Sequence, residues 1–170
     1  MKERPILFNG EMVRAILDGS KTQTRRVIKP QPCAGVRRSP FIRSGLEDGH
    51  GRELRSPYGI PGDGLWVRET WQQPYSWPPY TPSAKVSPNY HMALYRAATA
   101  ARDLWGQGYS FYWDDIPFWR SPIFMPRWAS RIDLEVTGVL VEQATEPDDT
   151  KTYDTGDWVW VVEFQRVADG

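Results

Sequence analysis

A single cysteine, Cys33, rules out an intramolecular disulfide in this 170-residue chain. The two histidines, His50 and His91, stand far apart and without cysteines at ligand spacing, so a zinc centre is not expected. The acidic pairs Asp114–Asp115 and Asp148–Asp149 fall in loops with no matching oxygen-ligand set, which argues against calcium. A glycine-rich phosphate cradle is missing too, because GDG at 62–64 reads as a turn. No apolar run approaches the roughly 20 residues of a membrane span, and MKERPILF lacks the apolar core of a secretory leader. These absences predict a soluble, cytoplasmic protein in a reducing compartment, with no metal and no cofactor. No internal repeat emerges, and the length fits one domain over 1–170.

The net charge is also zero, but it is unevenly spread. Residues 1–68 carry 13 Lys/Arg against 7 Asp/Glu, whereas residues 69–170 carry 8 against 14. Nine of the basic residues and three acids lie between Lys21 and Arg55. A basic half suits a phosphate-bearing partner. The same asymmetry also arises when the two halves pair with each other in the fold.

Along the chain, PILF (5–8) reads as a strand. A helix follows, with Asn9 as its cap, Glu11 in the first turn, and Met12, Val13, Ile16 and Leu17 as its buried stripe. Gly19 stands where a helix ends in a left-handed residue. TRRVIK (24–29) reads as a strand stopped by Pro30 and Pro32, and 31–61 as a long loop. GDGLWVRETW (62–71) predicts a turn and a strand, with Leu65, Val67 and Glu69 on one face and Trp66, Arg68 and Thr70 on the other. Residues 72–120 are rich in proline and aromatics and read as an insertion, helical only over 91–105. SPIFMPRWASR (121–131) is a bent connector. IDLEVTGVLVEQ (132–143) is a strand with a break near Gly138, EPDDTKTYDTGD (146–157) a polar loop, and WVWVVEFQRV (158–167) a strand. The sum predicts a mostly β, α+β domain, a small barrel or half-barrel with one early helix.

Three groups could carry chemistry. In ILDGSKTQTRR (16–26), a turn after Gly19 could bring Lys21 and Thr24 together. Arg25 and Arg26 beside a partly dry lysine would lower its pKa and make it a base toward a threonine hydroxyl. A helix stop followed by a solvated basic turn explains the same residues. Glu69, in mid-strand among apolar residues, needs a partner if buried, with Lys21 or an arginine as candidates. The plainer readings are a structural ion pair or a register slip that leaves it in water. In MPRWASR, Arg127 and Arg131 flank Trp128, as on surfaces that stack a base and grip a phosphate. Ordinary packing of Trp128 accounts for that pattern as well.

ILDGSKTQTRR, GDGLWVRETW, MPRWASR and the closing WVWVVEF, in that order, resemble the ASCH domains of the PUA-like superfamily, most closely a phage and prophage branch. The resemblance covers the first 30 residues, 62–71 and 121–167, but not 31–60 or 72–120. Its pattern of Gly19, Lys21 and Arg26 implies a small β-barrel with a cleft at the helix end that binds a nucleoside or RNA. One bacterial branch is similar to a minimal amidohydrolase acting on N(4)-acetylcytidine. By that resemblance Thr24 would be nucleophile, Lys21 its base and Glu69 the assisting acid, with Gly19, Arg25, Arg26, Arg127 and Trp128 around the ligand. In the phage branch a helix usually separates the last two strands and a histidine tends to stand at Phe124; here 144–157 is a short acidic loop. The alternatives are a non-catalytic RNA- or DNA-binding module, or a phage accessory protein that meets a host protein through 72–120, in either case in the host cytoplasm.

Overall fold

The computed structural model describes residues 1–40, 45–72, 85–86, 92–95, 119–147 and 152–167. The strand at the N-terminus is β1 (Glu3–Leu7), followed by helix α1 (Gly10–Leu17). Asn9 caps α1 as its sequence suggests, its side chain accepting from the Met12 N–H at 2.8 Å. Val13 and Ile16 are the buried positions of the apolar stripe.

The helix ends at a left-handed Gly19, φ +82°. The Asp18, Gly19 and Lys21 N–H groups take the carbonyls of Arg14, Ile16 and Ala15, so the last turn is closed by the chain that leaves it. A Cβ on Gly19 would meet nothing within 4 Å. Gly19→Ala is therefore expected to cost only the backbone penalty, about 1–2 kcal/mol, with Gly19→Asn milder; urea denaturation of both variants checks this.

Strands β2 (Gln23–Val27), β5 (Gly64–Arg68), β9 (Asp133–Gln143) and β10 (Trp158–Arg166) join β1 in one five-stranded sheet, in the order β1-β5-β9-β10-β2. The Gly64 N–H donates to Lys2 and the Phe8 N–H to Arg68, so β1 and β5 run parallel. β10 pairs antiparallel with β2, placing Val162 opposite Thr24 and Trp160 opposite Arg26. Three strands of this order, β5, β9 and β10, have neighbours on both sides. Of these, β5 and β10 bury consecutive residues, Gly64–Val67 and Val159–Val162, as strands covered on both faces do. β9 continues unbroken through Gly138, contrary to the expected break. A Cβ there would lie 2.4 Å from a Glu163 carboxylate oxygen, so the glycine makes room for that side chain.

Two expectations need correction. The loop 31–61 contains a small hairpin, β3 (Val36–Arg38) and β4 (Leu46–Asp48), paired antiparallel. Three-residue strands are too short to show alternation, so punctuation by Gly and Pro hid them. The helix expected over 91–105 is also wrong in its first part: Met92–Tyr95 is strand β8, which lies between β6 (Trp71–Gln72) and β7 (Lys85–Val86). Its remaining residues lie outside the described ones, as does most of the 72–120 insertion. Among the described residues the architecture is mostly β, with one α-helix and two 3₁₀ turns, Pro122–Phe124 and Arg127–Ala129.

The chain divides into two compact units. Unit 1 comprises Met1–Lys2, Thr22–Gly64 and Glu135–Gln165; unit 2 comprises Glu3–Lys21, Leu65–Leu134 and Arg166–Gly170. The core of unit 1 is built on Ile28, Leu54, Val136, Val159, Val162 and Phe164, and that of unit 2 on Ile6, Val13, Ile16, Leu65, Val67 and Leu134. In unit 2 a further cluster of Trp71, Met125 and Ala129 is packed by Trp128.

Candidate functional site

In unit 1 the motif residues stand on β2. Thr24 and Arg26, two apart on a strand, share one face, and Arg25 takes the other. Thr24 is 4% exposed, yet among the described residues no hydrogen bond to its hydroxyl is present. Arg25 donates through Nε to Glu142 at 2.6 Å, an exposed pair that neutralises it. Tyr58 enters from the turn after Ser56, whose hydroxyl accepts the Tyr58 N–H at 3.1 Å. Burial pushes the Tyr58 phenol up and the nearby Arg26 charge pulls it back, which places that phenol within reach of the Arg26 field.

The basic stretch is partly neutralised from within. Its three acids each take an arginine: Glu47 pairs with Arg37, Asp48 with Arg52 and Glu53 with Arg55. The buried Asp48 also accepts the N–H groups of His50 and Arg52, at 3.0 and 2.9 Å, which fixes the loop after β4.

In unit 2, Gly19 and Lys21 form the exit of α1. The Ser20 N–H donates to the Asp18 carboxylate and the Lys21 N–H to the Ala15 carbonyl. Lys21 therefore lies in a structured turn and precedes β2, which begins at Gln23. Its side chain is half-buried.

Glu69, 1% exposed, lies just past the end of β5. Arg131 grips it with both arms of its guanidinium, Nε to Oε1 at 2.8 Å and Nη2 to Oε2 at 3.0 Å. The Glu69 N–H rests on the Met125 sulfur at 3.3 Å. A buried strand-end carboxylate signalled the need for a partner, but the sequence did not single out Arg131. Tyr58 also escaped, because nothing in SPYGIPG distinguishes a half-buried phenol in the field of Arg26 from an ordinary turn residue.

Arg127 and Trp128, expected around a ligand, are engaged with protein groups. Arg127 donates to both Glu3 oxygens, at 2.9 and 3.0 Å, and lies 3.0 Å from Asp133. Trp128 stands edge-on to Trp71, with ring centroids 6.0 Å apart. Among the described residues no group of three His, Cys, Asp or Glu could hold a metal ion. No helix among them is long and apolar enough to cross a membrane.

Two carboxyls set an acid limit. The Arg127 hydrogen bond holds Glu3 below its usual range, and the Arg52 N–H, followed by the His50 N–H, does the same for Asp48. Depressed values stabilise the fold above the unfolded pKa of about 4. That stabilisation is lost as pH falls through the folded values. The urea midpoint is expected to drop between pH 5 and pH 3, and to drop less in Arg127→Gln.

No family profile, no curated protein and no solved structure matches the chain.

Proposed function

We propose that this chain is an ASCH-like β-barrel domain that binds a nucleoside, free or within RNA, at the β2 motif. The observation that carries this reading is Thr24, a residue 4% exposed whose hydroxyl has no hydrogen bond among the described residues, on the face of β2 that also bears Arg26. A ligand carbonyl or hydroxyl would supply the missing partner, and the guanidinium would take a phosphate or a base acceptor. Tyr58, whose phenol feels the Arg26 charge, would add an aromatic and a second donor.

The unbonded hydroxyl also favours a second, hydrolytic form. Thr24 Oγ1 attacks the amide carbonyl of N(4)-acetylcytidine, and Lys21, three residues before it in the chain, accepts the hydroxyl proton. The N4–acyl bond breaks, N4 leaves with a proton as cytidine, and water then releases acetate from the acyl-threonine.

Chromatography of the purified protein incubated with N(4)-acetylcytidine tests this form: cytidine is expected from the wild type and none from Thr24→Val. Calorimetric titration with cytidine and cytidine monophosphate tests the binding form. Arg26→Ala is expected to weaken binding at least tenfold, and Arg25→Ala far less, because Glu142 already neutralises Arg25. Turnover that survives in Thr24→Val rejects the hydrolytic form, and absence of both turnover and binding rejects the whole reading.

A further inference from the structure

The turn that follows Arg120 in unit 2 displays two large apolar side chains. Ile123 is 58% exposed and Phe124 75%, the latter more than any other large apolar residue described apart from Met1. The turn beneath them is firmly held. The Arg120 N–H donates to the Trp71 carbonyl at 2.9 Å, and at the far end Met125, 1% exposed, is sunk into the Trp71 and Ala129 cluster. Within the turn the Phe124 N–H bonds to Ser121 and the Met125 N–H to Pro122. Arg68 braces it from β5, donating through Nη1 to the Ile123 carbonyl at 3.2 Å.

Two arginines beside this turn, Arg68 and Arg120, have no ion pair among the described residues. The Arg68 guanidinium lies 4.6 Å from the centre of the Trp66 ring, and that of Arg120 lies 5.4 Å from the centre of the Trp71 ring. Stacking on an indole fixes a guanidinium without neutralising it. Among the described residues neither arginine meets a carboxylate, whereas Arg127 and Arg131 in the same unit are both paired. The Arg68 Nε is buried and has no hydrogen-bond partner among the described residues, so an incoming anion would compensate a charge that water reaches poorly.

We propose that Phe124, Arg68 and Arg120 form a contact surface for a single-stranded polynucleotide, in which an unpaired base stacks on Phe124 and neighbouring phosphates meet the two guanidiniums. An exposed ring on a turn that follows Arg120 and is braced by Arg68 offers a stacking face with cations nearby, as a strand of alternating bases and phosphates requires. A duplex keeps its bases stacked on each other and offers nothing to the ring. This surface lies wholly in unit 2 and does not depend on Thr24 or Arg26.

The test is fluorescence anisotropy of labelled oligouridylate and oligothymidylate with the intact protein, at low and at physiological salt. Binding of either strand is expected, RNA and DNA being told apart by which strand binds more tightly, and it should weaken as salt rises. Phe124→Ala should weaken it about tenfold, and Arg120→Gln should flatten the salt dependence by about one phosphate contact. Both side chains are exposed, and circular dichroism checks that the variants stay folded. Failure of the wild type to bind either strand overturns the proposal. So does wild-type affinity in both variants, or a duplex that competes as well as a single strand. Binding lost in Arg26→Ala but kept in Phe124→Ala rejects this surface alone and leaves the β2 reading standing.

Discussion

Arg131→Ala is expected to lower the stability of the protein by about 3–5 kcal/mol, the largest effect of any single substitution considered. The cause is the carboxylate left behind. Glu69 is 1% exposed, and Arg131 supplies hydrogen bonds to both of its oxygens. Without the guanidinium a buried charge would keep only what little water reaches it, a far larger penalty than the loss of a surface ion pair. For a chain of this length the thermal midpoint should fall by roughly 10 °C. Glu69→Leu combined with Arg131→Met removes both charges and should recover most of the loss, because apolar replacement of a buried pair is often neutral. Thermal and urea denaturation of both variants and the parent measure this. A double variant no more stable than Arg131→Ala alone would show that the pair does more than cancel its own desolvation.

Thr24→Val is expected to separate stability from ligand binding. The residue is 4% exposed and its hydroxyl has no hydrogen bond among the described residues, so exchanging it for a methyl should leave the fold nearly unchanged. The same exchange removes the group that a bound nucleoside would engage. Cytidine affinity should fall about tenfold, and turnover of N(4)-acetylcytidine should vanish. A Thr24→Val protein that is clearly destabilised would mean that the hydroxyl serves the fold instead. Calorimetric titration and urea denaturation on one preparation give both numbers.

The local features were legible because their causes are local. Asn9 caps a helix wherever it precedes an amphipathic turn, and Gly19 can leave that helix in the left-handed region without strain. The strands 64–68, 133–143 and 158–166 announced themselves through apolar runs or alternation long enough to read. β3 and β4 did not, because three residues carry no period. β8 did not either: HMALYRAATAARDLW has the composition of a helix, and pairing of Met92–Tyr95 with β6 and β7 overrides that propensity.

The candidate site divides along the same line. Residue types alone marked Lys21, Thr24, Arg26 and Glu69 as chemically capable. Whether each is free or occupied depends on residues far away in the chain. Arg131 reaches Glu69 across 62 positions and Glu142 reaches Arg25 across 117. Arg127, which MPRWASR presents as a cation available to a ligand, is committed to Glu3 and Asp133. Arg68, which the sequence shows only as one polar position of a strand, has no carboxylate partner among the described residues.

By itself, then, the sequence determined a mostly β chain with one capped helix, its left-handed exit at Gly19 and the approximate places of the long strands. These follow from periodicity and backbone preference within a few residues. Only the tertiary structure decided which charges are compensated, and that Thr24 is buried with no side-chain hydrogen bond among the described residues. It also decided that Phe124 stands exposed on a turn that follows Arg120 and is braced by Arg68, neither of which meets a carboxylate among those residues. Those properties depend on strand register and on contacts between distant segments, which no local pattern encodes.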